Sequence, residues 1–555
     1  MPGSIPEAYD VAVLGAGPAG LTGAVTAAEL GLRVALLDAS DRPGGQFYRH
    51  PAPATGATRP EALHHDWAAY ADLRDRLAAS DVTQLFGHHV WTVTRETAGE
   101  RWAVHALTGE EDGEDGTHTD MRRAGRGLVP GQRPVTVRAH AILLATGSYE
   151  RHLPFPGWTL PGVVGAGGAQ AMLKSGLALP GSRVVVAGSG PLLLAVATSL
   201  AAAGAEVPEV VEASGYLGYA RRPGALAANP HKLAEAALHG TALLRHRVRL
   251  RTRSAVTEAH GTDRVEAVTV SRLDRDWRPV PGTARRVACD ALAVGHGLVP
   301  HIDLATTLGC ATRRAADGTH ALALSPLQET SLPGMWAAGE TSGIGGAQLA
   351  RAEGELAAAA IAARLTGERP SPLPRLRALR RRRDRMRAFA ETMTAAHAPG
   401  PGWTGWLSDD TDVCRCEEVT AGRVREAVAD YGARDARTVK LLTRAGMGWC
   451  QGRMCGTAVA SLTAPAATTP TPPDRRPLAT PIPLTTLANL PIPAAEPTGR
   501  TDHTDPGGPS GSDDLDDLDD PDGPDGPDGP DSPGDPNPHP HPHPHPHPHP
   551  HPHPQ

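Results

Sequence analysis

Four of the six cysteines in this 555-residue chain stand in two close pairs, in the last stretch that has the composition of a folded domain. Cys414 and Cys416 form a C-x-C pair, and Cys450 and Cys455 form a C-x4-C pair. Four thiolates on one short unit can bind a [2Fe–2S] cluster or a zinc ion. Zinc ribbons usually carry C-x2–4-C pairs on β-hairpins, so a C-x-C pair suits zinc poorly. Because ligand type alone does not select the metal, a cluster, zinc and no metal all stay open here.

Helices are expected to carry these cysteines. The stretch EEVTAGRVREAVADYG has apolar residues at helical spacing, and Thr420 suits the N-cap position. A loop and the segment TVKLLTRAGMGWC then return the second pair to the first. The sequence therefore predicts a helical unit of roughly 50 residues around the four thiols.

A glycine-rich turn near the amino terminus predicts a dinucleotide site. An apolar strand at 11–14 runs into GAGPAG, an Ala-rich helix follows, and a second strand ends in an acid. The glycines allow the tight turn, the approach of a pyrophosphate and close packing of helix on strand. The pyrophosphate would lie at the helix N-terminus, and the acid would bind the adenosine ribose. The predicted contacts are Gly15, Gly17, Pro18, Ala19, Gly20 and Asp38.

Three later segments bear on whether this site holds FAD or NAD. They are DRPGGQF (41–47), AILLATGS (141–148) and PGMWAAGETSGIGGAQLARAEGELAAAAIA (333–362). The set resembles the two-dinucleotide-binding flavoproteins, in which the first site holds FAD. The resemblance places Gly339 and Glu340 at the ribityl-phosphate region, where the family usually has Asp instead of Glu340. Gln46 is either a flavin-ring neighbour or a structural turn residue. The implied FAD contacts are Gly45, Gln46, Ala145, Thr146, Gly147, Gly339 and Glu340.

A second glycine-rich turn lacks the third glycine. Gly188 and Gly190 follow an apolar strand, Leu193 takes the third position, and the next predicted strand ends near Glu212. A leucine there pushes helix and strand apart, so the fold can persist while nucleotide affinity changes. Two interpretations stay open. Gly188, Gly190 and Glu212 bind NAD or another adenine nucleotide, or the fold is kept and the site is empty or used otherwise.

The remaining cysteines exclude one class of enzyme. Disulfide reductases of this fold carry a redox-active cysteine pair in or near the nucleotide domains. Here no cysteine precedes Cys289, and both Cys289 and Cys310 stand alone. A lone cysteine is usually a small core residue. Disulfide reduction is therefore excluded.

Charge and composition exclude further classes. From Ala464 onward 15 acidic residues stand against three arginines, so the net charge of −7 is a property of that segment, and the rest of the chain is mildly basic. This charge balance does not indicate nucleic-acid binding. No apolar run is long enough for a membrane span, and MPGSIPEAYD has no secretory pattern, so we expect a cytoplasmic location.

The predicted fold class is α/β, with two dinucleotide-binding domains as in glutathione reductase, followed by a small helical domain and a disordered tail. The tail is rich in Pro, Asp and His and has too few apolar residues to bury. The predicted boundaries are an FAD-binding domain at 1–155 and 325–370 with a loop insertion at 108–134, an NAD-binding-like domain at 156–324, a basic helical linker at 371–409, the cysteine domain at 410–463 and the tail at 464–555.

The residues of these motifs resemble those of a known family. CRCEEVT and TRAGMGWCQGRMC resemble the BFD-like (bacterioferritin-associated ferredoxin) [2Fe–2S] domain. Together with GGQFYR and GETSGIGGAQLARAEG, they resemble the large flavoprotein subunit of heteromeric amine and amino-acid dehydrogenases. That group includes opine oxidases, hydrogen cyanide synthase, proline and hydroxyproline dehydrogenases and sarcosine oxidase α.

The resemblance implies FAD and a [2Fe–2S] cluster as cofactors. It also implies a D-amino-acid-oxidase-like flavoprotein and a small [2Fe–2S] protein as partners. Electrons from C–N bond oxidation would pass through flavin and cluster, and no catalytic proton-transfer residue stands out in this chain. Two alternatives stay open. One is an NAD(P)H-dependent reductase with a fused iron–sulfur domain, and the other is a structural nucleotide-binding subunit.

Overall fold

A mostly parallel sheet forms around the first glycine-rich turn. The structure, a computed structural model, describes residues 8–64, 66–96, 101–109, 132–367, 373–463, 476 and 478–488. Its first elements are β1 (Tyr9–Leu14), α1 (Pro18–Glu29), β2 (Val34–Asp38), α2 (Trp67–Ala78), β3 (Thr83–Phe86), β4 (His88–Arg95), β5 (Trp102–Thr108) and β6 (Arg133–Leu144). The strands lie in the order β3-β2-β1-β6-β5-β4.

The first turn lies at the carboxyl edge of this sheet. Strand β1 is buried along almost its whole length and pairs in parallel with both β2 and β6. Pro18 begins α1, where its missing N–H would have no helical partner anyway. A Cβ added at Gly20 would fall 1.7 Å from the carbonyl oxygen of Gly15. Only glycine therefore allows the helix to lie this close to the turn, as the motif predicts.

The chain then builds a second sheet around the other glycine-rich turn. The elements between 148 and 322 are β7 (Ser148–Glu150), β8 (Val163–Gly165), α3 (Ala166–Gly176), β9 (Val184–Gly188), α4 (Leu192–Ala202), β10 (Glu209–Glu212), α5 (Pro223–Ala227), α6 (Pro230–Arg245), β11 (Arg249–Thr252), β12 (Ser254–His260), β13 (Ala267–Arg272), β14 (Arg285–Ala288), β15 (Ala291–Gly295), β16 (Leu298–Pro300), α7 (Asp303–Thr307), β17 (Thr312–Arg314) and β18 (His320–Leu322). Five parallel strands lie in the order β11-β10-β9-β15-β8. Strands β12, β13 and β14 form a separate antiparallel sheet.

Two later elements join the first sheet, one as a further strand and one as a helix packed against α1. They are β19 (Met335–Ala337) and α8 (Ala347–Thr366). Strand β19 pairs in parallel with β6. Helix α8 packs against α1 so closely that a Cβ added at Gly354 would lie 2.2 Å from the carbonyl oxygen of Ala19. The first sheet is thus assembled from two separated parts of the chain, while the exact domain boundaries stay predictions.

A long helix and a small unit follow. The elements are α9 (Leu373–Ala396), β20 (Asp412–Cys414), β21 (Val419–Thr420), α10 (Ala421–Ala429), α11 (Ala436–Thr443), α12 (Gly456–Thr463) and α13 (Leu484–Ala488). Thr420 caps α10, as predicted, by accepting from the backbone N–H of Arg423, and Asp435 caps α11 in the same way. Short 3-10 turns lie at Pro53–Thr55, Pro60–Leu63, Tyr216–Arg221, Gly339–Ser342 and Pro401–Trp406.

Helix α9, the longest among the described residues, is polar. Its sequence includes the run RRRRDR. Within the part of the chain that the structure describes, no helix combines the length and apolar character that a bilayer crossing requires.

Residues 478–488, which lie within the predicted tail at 464–555, contact the first sheet. Ala479 is buried, and its N–H donates to the carbonyl oxygen of Trp91 at 3.0 Å. Composition averaged over the whole tail concealed the short apolar stretch that ends in α13. Apart from Arg476, the other tail residues lie outside the described ranges. So does most of the predicted loop insertion, whose flanking strands β5 and β6 pair antiparallel.

Candidate functional site

Predicted FAD residues from four separate segments meet at the carboxyl edge of the first sheet. Gly15 has φ +108°, and an added Cβ would lie 2.3 Å from the carbonyl oxygen at the end of β6. A Cβ added at Gly45 would lie 2.8 Å from the Cα of Gly17, and one at Gly339 would lie 2.9 Å from the Cβ of Ala19. Only glycine fits these three positions, so the backbone can approach a pyrophosphate. We call this group the FAD cradle: Gly15, Gly17, Ala19, Gly45, Ala145 and Gly339.

Asp38 lies beside the cradle at the end of β2. Its Oδ2 accepts from the backbone N–H of Ala16 at 2.5 Å, and its Oδ1 accepts from that of Ser40 at 2.7 Å. These bonds hold the carboxylate where an adenosine ribose is expected in this fold. The ribose contact itself stays a prediction.

Two other predicted flavin contacts have partners within the protein. Glu340 is bonded through both carboxylate oxygens to the backbone N–H groups of Gly345 and Gly346, each at 2.9 Å. Burial raises the pKa of Glu340, although these bonds oppose the rise. Gln46 is exposed, and its Oε1 accepts from Arg49 at 2.7 Å. Glu340 thus shapes the loop before α8, and a flavin contact for either residue stays a prediction.

A buried lysine reaches the cradle loop from the second sheet's domain. The Nζ of Lys174, on α3, donates to the carbonyl oxygen of Phe47 at 3.2 Å and lies 5.7 Å from the centre of the Phe47 ring. Lys174 is 7% exposed, and burial lowers its pKa to about 8. No sequence motif marked this residue, because a single lysine on an amphipathic helix is ordinarily a surface residue.

The second nucleotide turn is closed by the chain itself. Gly188 and Gly190 form the turn after β9, and Glu212 ends β10 as predicted. The Oε2 of Glu212 accepts from the Gly190 N–H at 2.9 Å. The Nδ1 of His397 lies 3.4 Å from the Oε1 of Glu212, and the hydroxyl of Ser189 donates to the carbonyl oxygen of His397 at 3.1 Å. His397 follows α9 directly.

Glu212 therefore lies where an adenine ribose would need it, but inside the protein. It is 1% exposed, and Tyr219 covers the same place with its hydroxyl 3.1 Å from the Nε2 of His397. A carboxylate must be reachable to bind a ribose hydroxyl. The described residues thus favour the interpretation in which the fold is kept without an open nucleotide site.

The four predicted ligand cysteines come together as two pairs. The Sγ atoms of Cys416 and Cys450 lie 3.7 Å apart. The thiol of Cys455 donates to Cys414, and this bond lowers the pKa of Cys414 to about 5. Among the described residues no three His, Cys, Asp or Glu side chains surround a single point as one metal ion would need.

Two thiolates on one tetrahedral metal with bonds of about 2.3 Å stand roughly 3.8 Å apart, which matches the Cys416–Cys450 separation. A [2Fe–2S] cluster takes cysteine thiolates as its ligands, so the four thiols would supply a suitable ligand set. The two sides differ in solvent access, since Cys416 is exposed while Cys414 and Cys455 are buried.

A side chain between two of the predicted ligand cysteines joins this unit to the flavin domain. The guanidinium of Arg453 donates to the Oδ2 of Asp303 at 2.7 Å and lies 3.3 Å from the Nε2 of His301. The carbonyl oxygen of His301 accepts from the hydroxyl of Thr146 at 2.6 Å, and the His301 N–H donates to Gly147 at 2.9 Å. Thr146 and Gly147 directly follow the cradle residue at the end of β6.

Charge and burial reinforce this contact. Burial raises the pKa of Asp303, but the bond to His301 and the charges of Arg453 and Arg476 outweigh it and lower the pKa to about 2. Tyr149 packs edge-on to His301, and burial raises its pKa to about 12. Sequence reasoning missed His301 and Asp303, while Arg453 carried one signal, its place inside the C-x4-C pair.

The two lone cysteines are core residues, as the sequence predicts. Cys289 and Cys310 are both buried among apolar side chains. Burial raises the pKa of each thiol. Both are thus poor nucleophiles and good core residues.

Residues 9–355 match the pyridine nucleotide-disulphide oxidoreductase family. The chain belongs to this family. Residues 413–464 match the BFD-like [2Fe-2S] binding domain, which confirms the predicted iron–sulfur domain. The family implies FAD at the first site, and the FAD cradle and the two thiol pairs fit these two cofactors.

Relatives of this oxidoreductase are named as enzyme subunits. It is 34% identical over 451 residues to hydrogen cyanide synthase subunit HcnB of Pseudomonas aeruginosa, covering 80% of this chain and 90% of the relative. It is 33% identical over 468 residues to an opine oxidase subunit of Agrobacterium tumefaciens, covering 82% and 85%. The predicted resemblance to subunits of heteromeric amine- and amino-acid-oxidising enzymes is confirmed.

A solved structure supports the fold. The crystal structure of L-proline dehydrogenase from P. horikoshii aligns with a TM-score of 0.58 and 19% identity, over 87% of this chain and 80% of that chain. At this identity the likeness concerns the fold alone.

Proposed function

We propose that this chain is the FAD- and [2Fe–2S]-carrying subunit of a heteromeric enzyme that oxidises a C–N bond of an amine or amino acid. The observation that carries the proposal is the Arg453 contact, which links the thiol pairs through His301 and Thr146 to the FAD cradle. When bound, FAD supplies two-electron chemistry and the cluster supplies one-electron chemistry.

The residues of this chain bind and position these groups. The cradle glycines bring backbone N–H groups toward a pyrophosphate, and the four thiols supply the cluster ligands. We assign no proton-transfer residue to this chain. A D-amino-acid-oxidase-like flavoprotein partner would carry the C–N oxidation, and a small [2Fe–2S] protein would complete a cytoplasmic complex.

An NADH-dependent reductase is the second candidate function. It requires the second nucleotide turn to open, yet Glu212 is buried under His397 and Tyr219. We therefore expect NADH to leave the flavin spectrum unchanged in the absence of oxygen, while dithionite bleaches it. Rapid bleaching by NADH would favour the reductase instead.

Cofactor content tests the proposal first. Protein purified without oxygen is assayed for flavin, iron, sulfide and zinc, together with an absorption spectrum. We expect about one flavin, two irons and two sulfides per chain. Cys450→Ser should lose the iron and sulfide, whereas Cys289→Ala, a buried cysteine outside the thiol pairs, should keep them.

Each alternative has its own outcome. Zinc without iron would make the cysteine unit structural and end the proposed relay. A well-folded protein with flavin near zero would favour a structural subunit. Flavin and iron together, followed by recovery of a flavoprotein partner that confers amine oxidation, would support the proposal.

A further inference from the structure

The exposed edge of the cysteine unit carries large apolar side chains. Trp449, beside the ligand Cys450, is 74% exposed, and Leu441 on α11 is 67% exposed. Isolated exposed apolar residues are ordinary, but a tryptophan with most of its surface in water beside a ligand cysteine is not. Cys416 is exposed at the same place.

These residues form one continuous surface. A Cβ added at Gly448 would lie 2.3 Å from the Cβ of Cys416, so Trp449 stands directly beside that ligand. The Nε of Arg444 donates to the Oε2 of Glu417, the next residue after Cys416, at 2.8 Å. Arg437 and Leu441 stand four residues apart on α11 and so share one face, and Arg444 follows as the C-cap residue of that helix. We call this the Trp449 surface: Cys416, Arg437, Leu441, Arg444 and Trp449.

The charge of this surface is positive. Residues 434–444 contain four Lys or Arg side chains and one acid, Asp435, which caps α11. Arg415, next to Cys416, is also exposed. Glu417 and Glu418 offset part of this charge, and Glu417 is engaged by Arg444. A second copy of the same surface would be repelled, whereas a partner with carboxylates around its own redox centre would be attracted.

We propose that the Trp449 surface is the docking site of an acidic one-electron carrier protein. This inference rests on the proposed function, because it assigns the exit for the electrons that this chain receives. When bound at the four thiols, the cluster would give up one electron and the carrier would take up that electron. No bond is made or broken, and no proton moves. Trp449 supplies the apolar centre of the contact, and the basic side chains around it set the partner's charge.

Two haem proteins of opposite charge test the docking site. Cytochrome b5 has an acidic surface around its haem edge, and cytochrome c has a basic one. The dissociation constant of each with the oxidised full chain is measured at about 20 mM and about 200 mM salt, because screening separates charge attraction from apolar contact. We expect cytochrome b5 binding that weakens about tenfold at the higher salt, and cytochrome c binding only to the acidic segment after residue 464, so that it does not depend on Trp449.

Variants locate the contact. Trp449→Ala should weaken cytochrome b5 binding about tenfold, as loss of a central tryptophan typically does. Arg437→Glu should weaken it about threefold at low salt. Arg249→Glu, an exposed arginine on β11, is the matched control and should leave binding unchanged. Iron and flavin content is measured for every variant, so that loss of the cluster is not mistaken for loss of docking.

The outcomes separate this inference from the proposed function. Unchanged cytochrome b5 binding by Trp449→Ala, or equal weakening of both cytochromes in that variant, would overturn the docking site while full iron and flavin content kept the proposed function. Self-association that Arg437→Glu strengthens would assign the surface to a second copy and overturn the inference. Cytochrome b5 binding that emerges only in a chain ending at residue 491 would mean that the acidic segment after that residue occupies the surface, and would overturn the inference. Salt-sensitive cytochrome b5 binding that is lost in Trp449→Ala, in protein with full iron content, would support the docking site.

Discussion

Lys174 gives the first prediction at the scale of single residues, through the pH dependence of stability. Its pKa falls from the usual 10.5 to about 8 because burial disfavours the ammonium. Above about pH 10.5 the Lys174 amine is neutral in both the folded and the unfolded state, so its burial has no cost of desolvating a charge. Below about pH 8 it is charged in both, and the folded state bears a cost of about 3 kcal/mol. The stability of the wild type should therefore fall as pH drops from about 10 to 8.

Lys174→Met should remove that pH dependence and be more stable than the wild type at pH 7. Urea unfolding at several pH values between 7 and 10 measures both effects. Lys232→Met, whose amine pairs with Glu235 on α6, is the control and should keep the wild-type slope. A Lys174→Met protein that is less stable at pH 7 would contradict the prediction and point to an anion bound beside the Lys174 amine.

Arg453 and Asp303 should be energetically coupled. Both side chains are 20% exposed, and their contact joins the cysteine unit to the flavin domain. Arg453→Met and Asp303→Asn should each lower the free energy of unfolding by about 2 kcal/mol, because each leaves a partly buried partner unpaired. The double variant should cost less than the sum of the two. Additive costs in this double-mutant cycle, measured by urea unfolding, would mean that the contact contributes nothing.

The sequence could indicate candidate ligand residues but not the residues that position them. The cysteines and cradle glycines were recognisable because their chemistry demands a fixed residue type at a fixed spacing. His301 and Asp303 act through partners some 150 positions away in sequence. The spacing of residues along the chain does not predict contacts between residues so far apart in sequence.

At the scale of elements, α9 joins the two nucleotide domains. Near its middle, Arg387 donates to the carbonyl oxygen of Gly343 at 2.6 Å and pairs with Glu353 on α8. Just past its end, His397 covers Glu212 of the second domain. The sequence predicted a basic helix at 371–409 as a linker, and composition alone could not predict that two of its residues reach into buried sites.

Arg387→Met should be strongly destabilising. Glu353 is 1% exposed, and removing Arg387 would leave its carboxylate buried without its cationic partner. Breaking a buried ion pair in this way costs about 3–5 kcal/mol. Arg382→Met, an exposed arginine on the same helix, should change stability by less than about 0.5 kcal/mol. Similar urea midpoints for the two variants would show that Arg387 does not anchor the helix.

At the scale of the whole molecule, one unit brings the flavin domain, the closed second domain and the cysteine unit together. Trp277 and Trp406 stack with ring centres 6.1 Å apart, and Trp158 donates to the carbonyl oxygen of Asp412 at 2.7 Å. Family resemblance predicted all three parts. It did not predict how they are joined, because these contacts depend on individual side chains rather than on motifs.

Arg476 and Ala479, which follow α12 in the chain, make hydrogen bonds to the cysteine unit. Arg476 donates to the carbonyl oxygen of Gln451 in the ligand loop, and the carbonyl oxygen of Ala479 accepts from Arg453 at 2.9 Å. Ala479 also pairs with Trp91 of the first sheet. These bonds connect the ligand loop to the flavin domain through a stretch that composition had assigned to the tail.

A chain ending at residue 463 should therefore lose its cluster faster than the full chain. Without Ala479 the Arg453 guanidinium loses one acceptor, and the ligand loop loses its bond to Arg476, so the loop should open more often. We expect iron release to a chelator to be several-fold faster and the thermal midpoint to fall by a few degrees, on the order of 1 kcal/mol. A chain ending at residue 491 keeps these contacts and should match the full chain in both measurements. Equal iron release from the chains ending at 463 and 491 would show that residues 476–488 do not stabilise the ligand loop.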